Sequence, residues 1–205
     1  DLGNNHINSI DVSNNVQLVN MNMRNNRLTD IDLSNNTRLT DLILSNDFNT
    51  RIGHNEFRSI DLSNNTSLIH FAFDYNLLYD GINVSNNTSL EKLYLKGNHL
   101  SDINLSNNTR LTHLDLSNNW LEDVDISTNT KLIHLNLNYT QLSNIDVSSN
   151  ASLTRLELGL NKLTEIDVSN NTELTVLDLS QNDLSNINID NNTALNNLDL
   201  SWNDI

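Results

Sequence analysis

Apolar and polar residues alternate along the chain in two short segments that recur together. In one copy, Leu114-Asp115-Leu116 is followed ten residues later by Val124-Asp125-Ile126. Alternation with a period of two is typical of a β-strand, and no segment of the unit has the spacing of an amphipathic helix. The pattern predicts a mainly β, right-handed solenoid with two parallel β-sheets, one on each side, and almost no helix.

The repeat keeps a nearly constant length. The first apolar residue of the second segment recurs with successive differences of 21, 29 and 22, then 21 five times, at Ile10, Ile31, Ile60, Ile82, Ile103, Val124, Ile145, Ile166 and Ile187. A fixed period means that each unit buries its apolar side against its neighbours. We therefore expect one solenoid of about nine coils over residues 1–205, with an insertion at residues 45–52 and no capping units. The insertion carries Phe48 and Arg51, and Gly81 is an insertion of one residue.

An Asn follows the first strand at one fixed place in most coils. An inward Asn can satisfy the peptide groups of a buried turn, and stacked copies are expected to bond to one another as a ladder. Thr140 interrupts this column. The predicted structural ladder consists of Asn26, Asn55, Asn76, Asn98, Asn119, Asn161, Asn182 and Asn203.

The residues of this unit carry a family resemblance. Leu114-x-Leu116-x-x-Asn119-x-Leu121 resembles the strand and Asn turn of the leucine-rich repeat family. Return segments such as Asp167 to Thr172 resemble the 21-residue class of bacterial internalin-like surface proteins. The resemblance covers essentially the whole chain, although the cysteine column of some relatives is absent. It implies a secreted or cell-surface protein that binds a ligand through its first-strand face and seldom catalyses a reaction.

Composition narrows the functional classes. The net charge of −15 and the presence of only 11 Lys and Arg residues argue against nucleic acid and anionic membranes as partners. The absence of cysteine excludes disulfides, thiolate metal sites and a cysteine nucleophile. No apolar run approaches the roughly 18 residues of a membrane span. We expect no cofactor and no enzymatic activity.

Comparison of the coils separates what the fold requires from what it leaves free. The return side repeats outward columns of Asp and Ser, whereas the first strand and its following turn carry imidazole, aromatic and charged side chains. Such side chains on a rigid sheet are typical of a surface that binds a protein or carbohydrate. The candidate binding residues are His70, Tyr75, Lys92, Tyr94, His113, Asp115, Trp120, His134, Tyr139, Arg155 and Glu157.

Several alternative hypotheses remain at this stage. The candidates could be ordinary solvated strand residues, or the His column with Asp115 could ligate a metal, although a flat column spreads its side chains apart. The outward Asp column is expected to form Asx-turns, with calcium between coils as the alternative. A different function is that of a structural rod, with end-to-end self-association through uncapped ends. Catalysis would require a cleft, for which the insertion is the candidate.

Overall fold

The computed structural model describes residues 1–49, 53–79 and 81–205. Its strands form a single nine-stranded parallel sheet in which spatial order follows chain order from β1 to β9. The strands are Asn20–Asn22, Asp41–Ile43, His70–Ala72, Lys92–Tyr94, His113–Asp115, His134–Asn136, Arg155–Glu157, Val176–Asp178 and Asn197–Asp199. The described residues contain no helix, so none of them forms a helix able to span a membrane.

Residues one coil apart lie beside each other in the sheet, as predicted. The Leu at the centre of β4 pairs with Leu114 of β5, which in turn pairs with Leu135 of β6. Leu93, Leu114 and Leu135 are all buried in the shared core. The core is therefore a set of leucine columns that run along the solenoid and pack coil against coil.

The predicted second sheet is wrong for the described residues, because the return side consists of turns. The N–H of Ser127 donates to Asp125 Oδ1 at 2.9 Å, and the N–H of Asn129 donates to the carbonyl of Ile126 at 3.0 Å. The N–H of Leu132 then donates to the carbonyl of Asn129 at 3.1 Å. These donors are satisfied within their own coil, so they are not available to pair with a neighbouring strand.

The Asp column of the return side forms the Asx-turns expected from the sequence. In six coils Asp Oδ1 accepts the N–H of the Ser two residues later, and Asn83 and Asn104 do the same in two others. These hydrogen bonds to Ser hold the pKa of the exposed Asp carboxyls below its ordinary value. The column is thereby stabilised in its ionised form.

The ladder Asn side chains join neighbouring coils, although their partners differ from those expected. Asn119 Nδ2 donates to the carbonyls of Leu116 and Leu95 at 2.9 and 3.0 Å, and Asn119 Oδ1 accepts the N–H of Leu100 at 3.0 Å. The amides therefore bond to backbone groups and not to one another. Backbone groups are the better partners because a buried turn leaves them otherwise unsatisfied.

A second column of buried Asn side chains lies on the return side. In each case Nδ2 donates to carbonyls of the preceding coil, as Asn108 does to Val84 and Asn87 at 3.0 Å each. The column consists of Asn36, Asn65, Asn87, Asn108, Asn129, Asn150, Asn171 and Asn192. In six of the eight coils the sequence signal for it was the second Asn of an Asn-Asn-Thr motif.

Candidate binding surface

The predicted strand residues form one contiguous surface across β3 to β7. Strand register aligns two outward columns, each with one residue from each of these five strands. The first column is His70, Lys92, His113, His134 and Arg155, and the second is Ala72, Tyr94, Asp115, Asn136 and Glu157. Side chains that are 21 or 22 residues apart in sequence thus become direct neighbours.

The imidazoles of this surface make aromatic contacts. The rings of His113 and His134 meet edge to face with centroids 4.5 Å apart, and His70 meets Tyr94 in the same way at 5.5 Å. Burial lowers the pKa of His70 and His113, and nearby Lys92 lowers both further, whereas Asp41, 3.6 Å from His70, offsets part of the shift of His70. These two rings are consequently favoured in their neutral forms, in which each can both donate and accept a hydrogen bond.

The imidazole side chains of this column do not converge on a common point, as the ligands of a metal ion would. In the described part of the chain, no group of three or more His, Asp or Glu side chains could hold a metal ion. Thr112 Oγ1 lies 2.9 Å from His113 Nδ1, and Asp115 Oδ1 accepts the N–H of Ser117 at 2.9 Å. Neighbouring polar groups in the protein therefore engage both a ring nitrogen and the carboxylate that the metal hypothesis required.

A third outward column, missed in the sequence, places Asp74 and Lys96 beside the predicted residues. Burial, together with the charge of Asp115 as a smaller cause, raises the pKa of Asp74 to about 6. Asp74 Oδ1 accepts the N–H of Lys96 at 2.9 Å, and Asp74 Oδ2 accepts the hydroxyl of Ser45 at 3.1 Å. The sequence did contain a signal for the outward position of Asp74, since the apolar–polar alternation of β3 continues for one more step to this residue.

Tyr94 lies next to these two partly desolvated carboxylates. Its pKa is raised first by burial and then by the charges of Asp115 and Asp74. Burial also raises the pKa of Asp115. The centre of the surface therefore combines a phenol, two carboxylates and the nearby Lys96 ammonium, all in a setting with less water than the exposed Asp column of the return side.

Tyr75 belongs to the edge of this surface and not to the strand face. Its ring lies 5.5 Å from that of Phe48, a side chain that is 71% exposed, and the Lys96 ammonium lies 5.9 Å from the Tyr75 ring centroid. A Cβ atom on Gly97 would collide with the Tyr75 ring, so Gly97 leaves the space that the ring occupies. Arg51 of the predicted insertion lies outside the described residues.

Trp120 and Tyr139 lie at the same edge, farther along the solenoid. Trp120 extends a stack in which the rings of Tyr79 and His99 are 4.3 Å apart and those of His99 and Trp120 are 4.7 Å apart. Trp120 and Tyr139 also line one cleft of about 290 Å³. Tyr79 and His99 were not predicted from the sequence, because they stand at different places in their repeats and only the fold brings their rings together.

At the other end of the strand surface, Arg155 and Glu157 form an ion pair within β7. Arg155 Nη2 donates to Glu157 Oε1 at 2.7 Å, and this bond raises the pKa of Arg155. The Arg155 side chain is 44% exposed, so the pair is in contact with solvent and contributes little to stability.

Two family models match parts of the sequence. A model of two leucine-rich repeat copies matches residues 88–129, and a single leucine-rich repeat model matches residues 170–187. No curated protein sequence matches the chain.

Solved structures with the same solenoid include two proteins from Listeria monocytogenes. An internalin (InlF) is 29% identical, with 98% of this chain and 59% of that one covered and a TM-score of 0.83. The functional domain of InlJ, described as including a cysteine ladder, is 27% identical, with 93% and 50% covered and a TM-score of 0.69. The chain thus spans between half and three fifths of these two structures.

A plant receptor ectodomain has a similar fold. The leucine-rich repeat ectodomain of the membrane receptor kinase GASSHO1/SCHENGEN3 from Arabidopsis thaliana was solved in complex with CASPARIAN STRIP INTEGRITY FACTOR 2. It is 26% identical, with 90% of this chain and 27% of that one covered and a TM-score of 0.71. The same repeat architecture therefore occurs in a receptor that is bound to a partner.

Proposed function

We propose that this chain, whose repeats and fold resemble those of leucine-rich repeat proteins of the internalin-like type, is a non-enzymatic module that recognises a protein partner through β3 to β7. The proposed location is the cell surface or the secreted fraction, as for the internalin and receptor ectodomain relatives. The relatives support recognition in general, and the residues of this chain support the choice of face.

The observation that carries the proposal is the contrast between the two sides of each coil. The return side presents the same Asp, Ser and Asn turn chemistry in coil after coil, whereas the strand side of β3 to β7 changes at every coil. The fold does not require this variation, since all nine coils keep the same register. Since folding does not determine the side chains on this surface, they can vary to suit the binding of a ligand.

The composition of the surface suits a protein ligand. Tyr94 supplies a large, partly buried ring, Arg155 supplies an exposed planar cation, and His134 supplies an exposed imidazole ring. Tyr and Arg are among the residues that most often dominate protein interfaces. The strand backbone is already ordered in the sheet, so binding would cost mainly side-chain entropy.

Substitutions on the two sides of the solenoid test the proposal. Partners would be selected from a displayed library of secreted protein domains, and their affinities would be measured by biolayer interferometry. The triple variant Tyr94→Ala, His134→Ala and Arg155→Ala is expected to weaken binding by about 100-fold or more, because these residues supply the anchors of the surface. Circular dichroism would check that the variant keeps its fold.

A matched control changes three exposed residues of the return side. The triple variant Arg110→Ala, Lys131→Ala and Glu173→Ala is expected to bind within about twofold of the parent, because these exposed side chains lie in turns outside the two strand columns. Equal losses in both triple variants, or no loss in the strand-side variant, would show that the strand face is not the recognition surface.

A further inference from the structure

A small cleft opens at the one place where the Asn ladder is interrupted. It has a volume of about 290 Å³, and its walls include Trp120 from one coil, Tyr139 and Gln141 from the next, and Leu160 and Lys162 from the third. The cleft lies on the turn edge of the solenoid, apart from the strand face proposed above. Its position in the repeat is unique, since Thr140 is the only residue other than Asn in the predicted column.

Thr140 changes the hydrogen bonds of this turn. In a regular coil the residue after the ladder Asn donates its N–H to the preceding coil, as Trp120 does to the carbonyl of Leu100 at 2.8 Å. Here Gln141 instead donates its N–H to Asn161 Oδ1 at 2.9 Å, on the following coil. This hydrogen bond joins Gln141 to the following coil, and the cleft lies beside it, with Trp120 and Asn161 in its lining.

The backbone around the cleft is strained. Tyr139 and Leu160 have φ angles of 57° and 58°, and Gln141 has a φ angle of 108°. Left-handed backbone recurs at the turn position of Tyr139 and Leu160 in other coils, as at Tyr75 and Asn118, whereas a second positive φ two residues later occurs among the described residues only at Gln141. Strain of this kind, at a cost of about 1–3 kcal/mol per residue, often accumulates where function requires a particular side chain.

The lining combines flat apolar surfaces with a few hydrogen-bonding groups. Trp120 and Tyr139 are 50% and 59% exposed, and Leu160 adds an exposed aliphatic side chain. Gln141 Oε1 accepts a hydrogen bond from Lys162 Nζ at 3.4 Å, which leaves the Gln141 amide N–H groups and two N–H groups of Lys162 for a ligand. Among the described residues, no Asp or Glu side chain lines the cleft.

These features select the chemistry of a ligand. A pyranose ring has an apolar C–H face that can stack on an aromatic ring, and hydroxyl groups around its edge that pair with amide and ammonium donors. The volume is at the small end for ligand pockets, so it suits a single ring. The chain carries a net charge of −15, which disfavours an acidic sugar. A cationic ligand would find no carboxylate in the lining.

We propose that this cleft binds a neutral hexopyranose unit of a glycan, stacked on Trp120 and Tyr139 and hydrogen-bonded to Gln141 and Lys162. The site goes beyond the proposed strand-face function, and either could exist without the other. A single ring held by one stacking face and a few hydrogen bonds should bind weakly, with a Kd on the order of 1 mM.

The two tryptophans of the chain provide the measurement. The ¹⁵N-labelled 205-residue chain would be titrated with methyl α-mannopyranoside, methyl β-galactopyranoside and methyl β-glucopyranoside, with the indole N–H signals followed by NMR. At least one sugar is expected to shift the Trp120 signal in a saturable manner while the Trp202 signal stays in place. Methyl β-glucuronide, the acidic counterpart of the third sugar, is expected to bind more weakly.

Variants separate the cleft from general surface effects. Thr140→Asn should restore the regular turn, close the cleft and abolish the shift, and Tyr139→Asn should remove one wall while fitting the left-handed backbone. Neither change is expected to unfold the chain. Trp202→Ala should bind sugar like the parent. No saturable shift of Trp120 with any of the neutral sugars, or undiminished binding by Thr140→Asn, would overturn the proposal.

Discussion

Repair of the Asn ladder at Thr140 is a direct test of how the coils are held together. Thr140 Oγ1 donates to the carbonyl of Leu137 at 2.9 Å, which replaces one of the hydrogen bonds of a ladder Asn. An Asn in a regular coil also donates to the preceding coil and accepts an N–H from it, as Asn119 does with Leu95 and Leu100. Thr140 has no amide and therefore provides neither the second donor nor the amide acceptor.

The expected stabilisation follows from these bonds. Thr140→Asn would add a donor to the carbonyl of Leu116 and an acceptor for the N–H of Leu121, while the bond to Leu137 is kept. A net contribution of about 1 kcal/mol for each hydrogen bond gives a gain of about 2 kcal/mol in the free energy of unfolding. Loss of the bond between Thr140 Oγ1 and Asn161 Oδ1, at 2.9 Å, offsets part of this gain. We therefore expect a net gain of about 1–2 kcal/mol.

Urea unfolding followed by circular dichroism measures the difference in free energy. A suitable control is Thr128→Asn, because Thr128 is exposed on the return side of the preceding coil and should change stability by less than about 0.5 kcal/mol. The midpoint should rise for Thr140→Asn with an unchanged slope. A variant that is equally or less stable than the parent would show that the ladder bonds do not determine how tightly the coils are joined.

Three further changes test the core, the strand surface and the strained turn. Leu114 is 2% exposed, so Leu114→Ala should lower the free energy of unfolding by about 2–5 kcal/mol in urea titrations, and a loss below about 1 kcal/mol would contradict the stacked core. The pKa of Asp74 is raised from 3.8 to about 6, so the folded chain binds more protons between these pH values and its stability should fall as pH rises through them. The free energy of unfolding should fall by at most about 3 kcal/mol, and this fall should disappear in Asp74→Asn. Equal pH dependence of stability in the two proteins would show that the pKa of Asp74 is not raised by burial. Tyr139→Asn should raise the free energy of unfolding by about 1 kcal/mol, because Asn tolerates a φ angle of 57° better than Tyr does. The control is Gln181→Asn, which makes the same change at a φ angle of 54° but removes a smaller side chain. A destabilised Tyr139→Asn would mean that the packing of the ring stabilises the fold by more than the strained backbone costs.

The candidate surface was only partly visible in the sequence. The repeat period placed His113 beside His134 and Tyr94 beside Asp115, and the structure places them in the same positions. The period could not give the burial of Asp74, because burial depends on side chains from several coils and on the contacts of the insertion. That each named residue contributes to binding stays a prediction.

The sequence by itself determined the solenoid, the register of its strands and the columns of its leucines. A nearly constant repeat length, with two local insertions, leaves only one way to place each apolar residue over its counterpart, so local pattern and global fold give the same answer. Tertiary structure alone decided where the return-side N–H groups bond, and therefore that one sheet forms and not two. It also decided that Gln141, next to Thr140, donates its N–H to Asn161 and that a cleft lies at this turn. The alternation of apolar and polar residues indicates which side chains face inward, but the distances between coils determine which groups form hydrogen bonds.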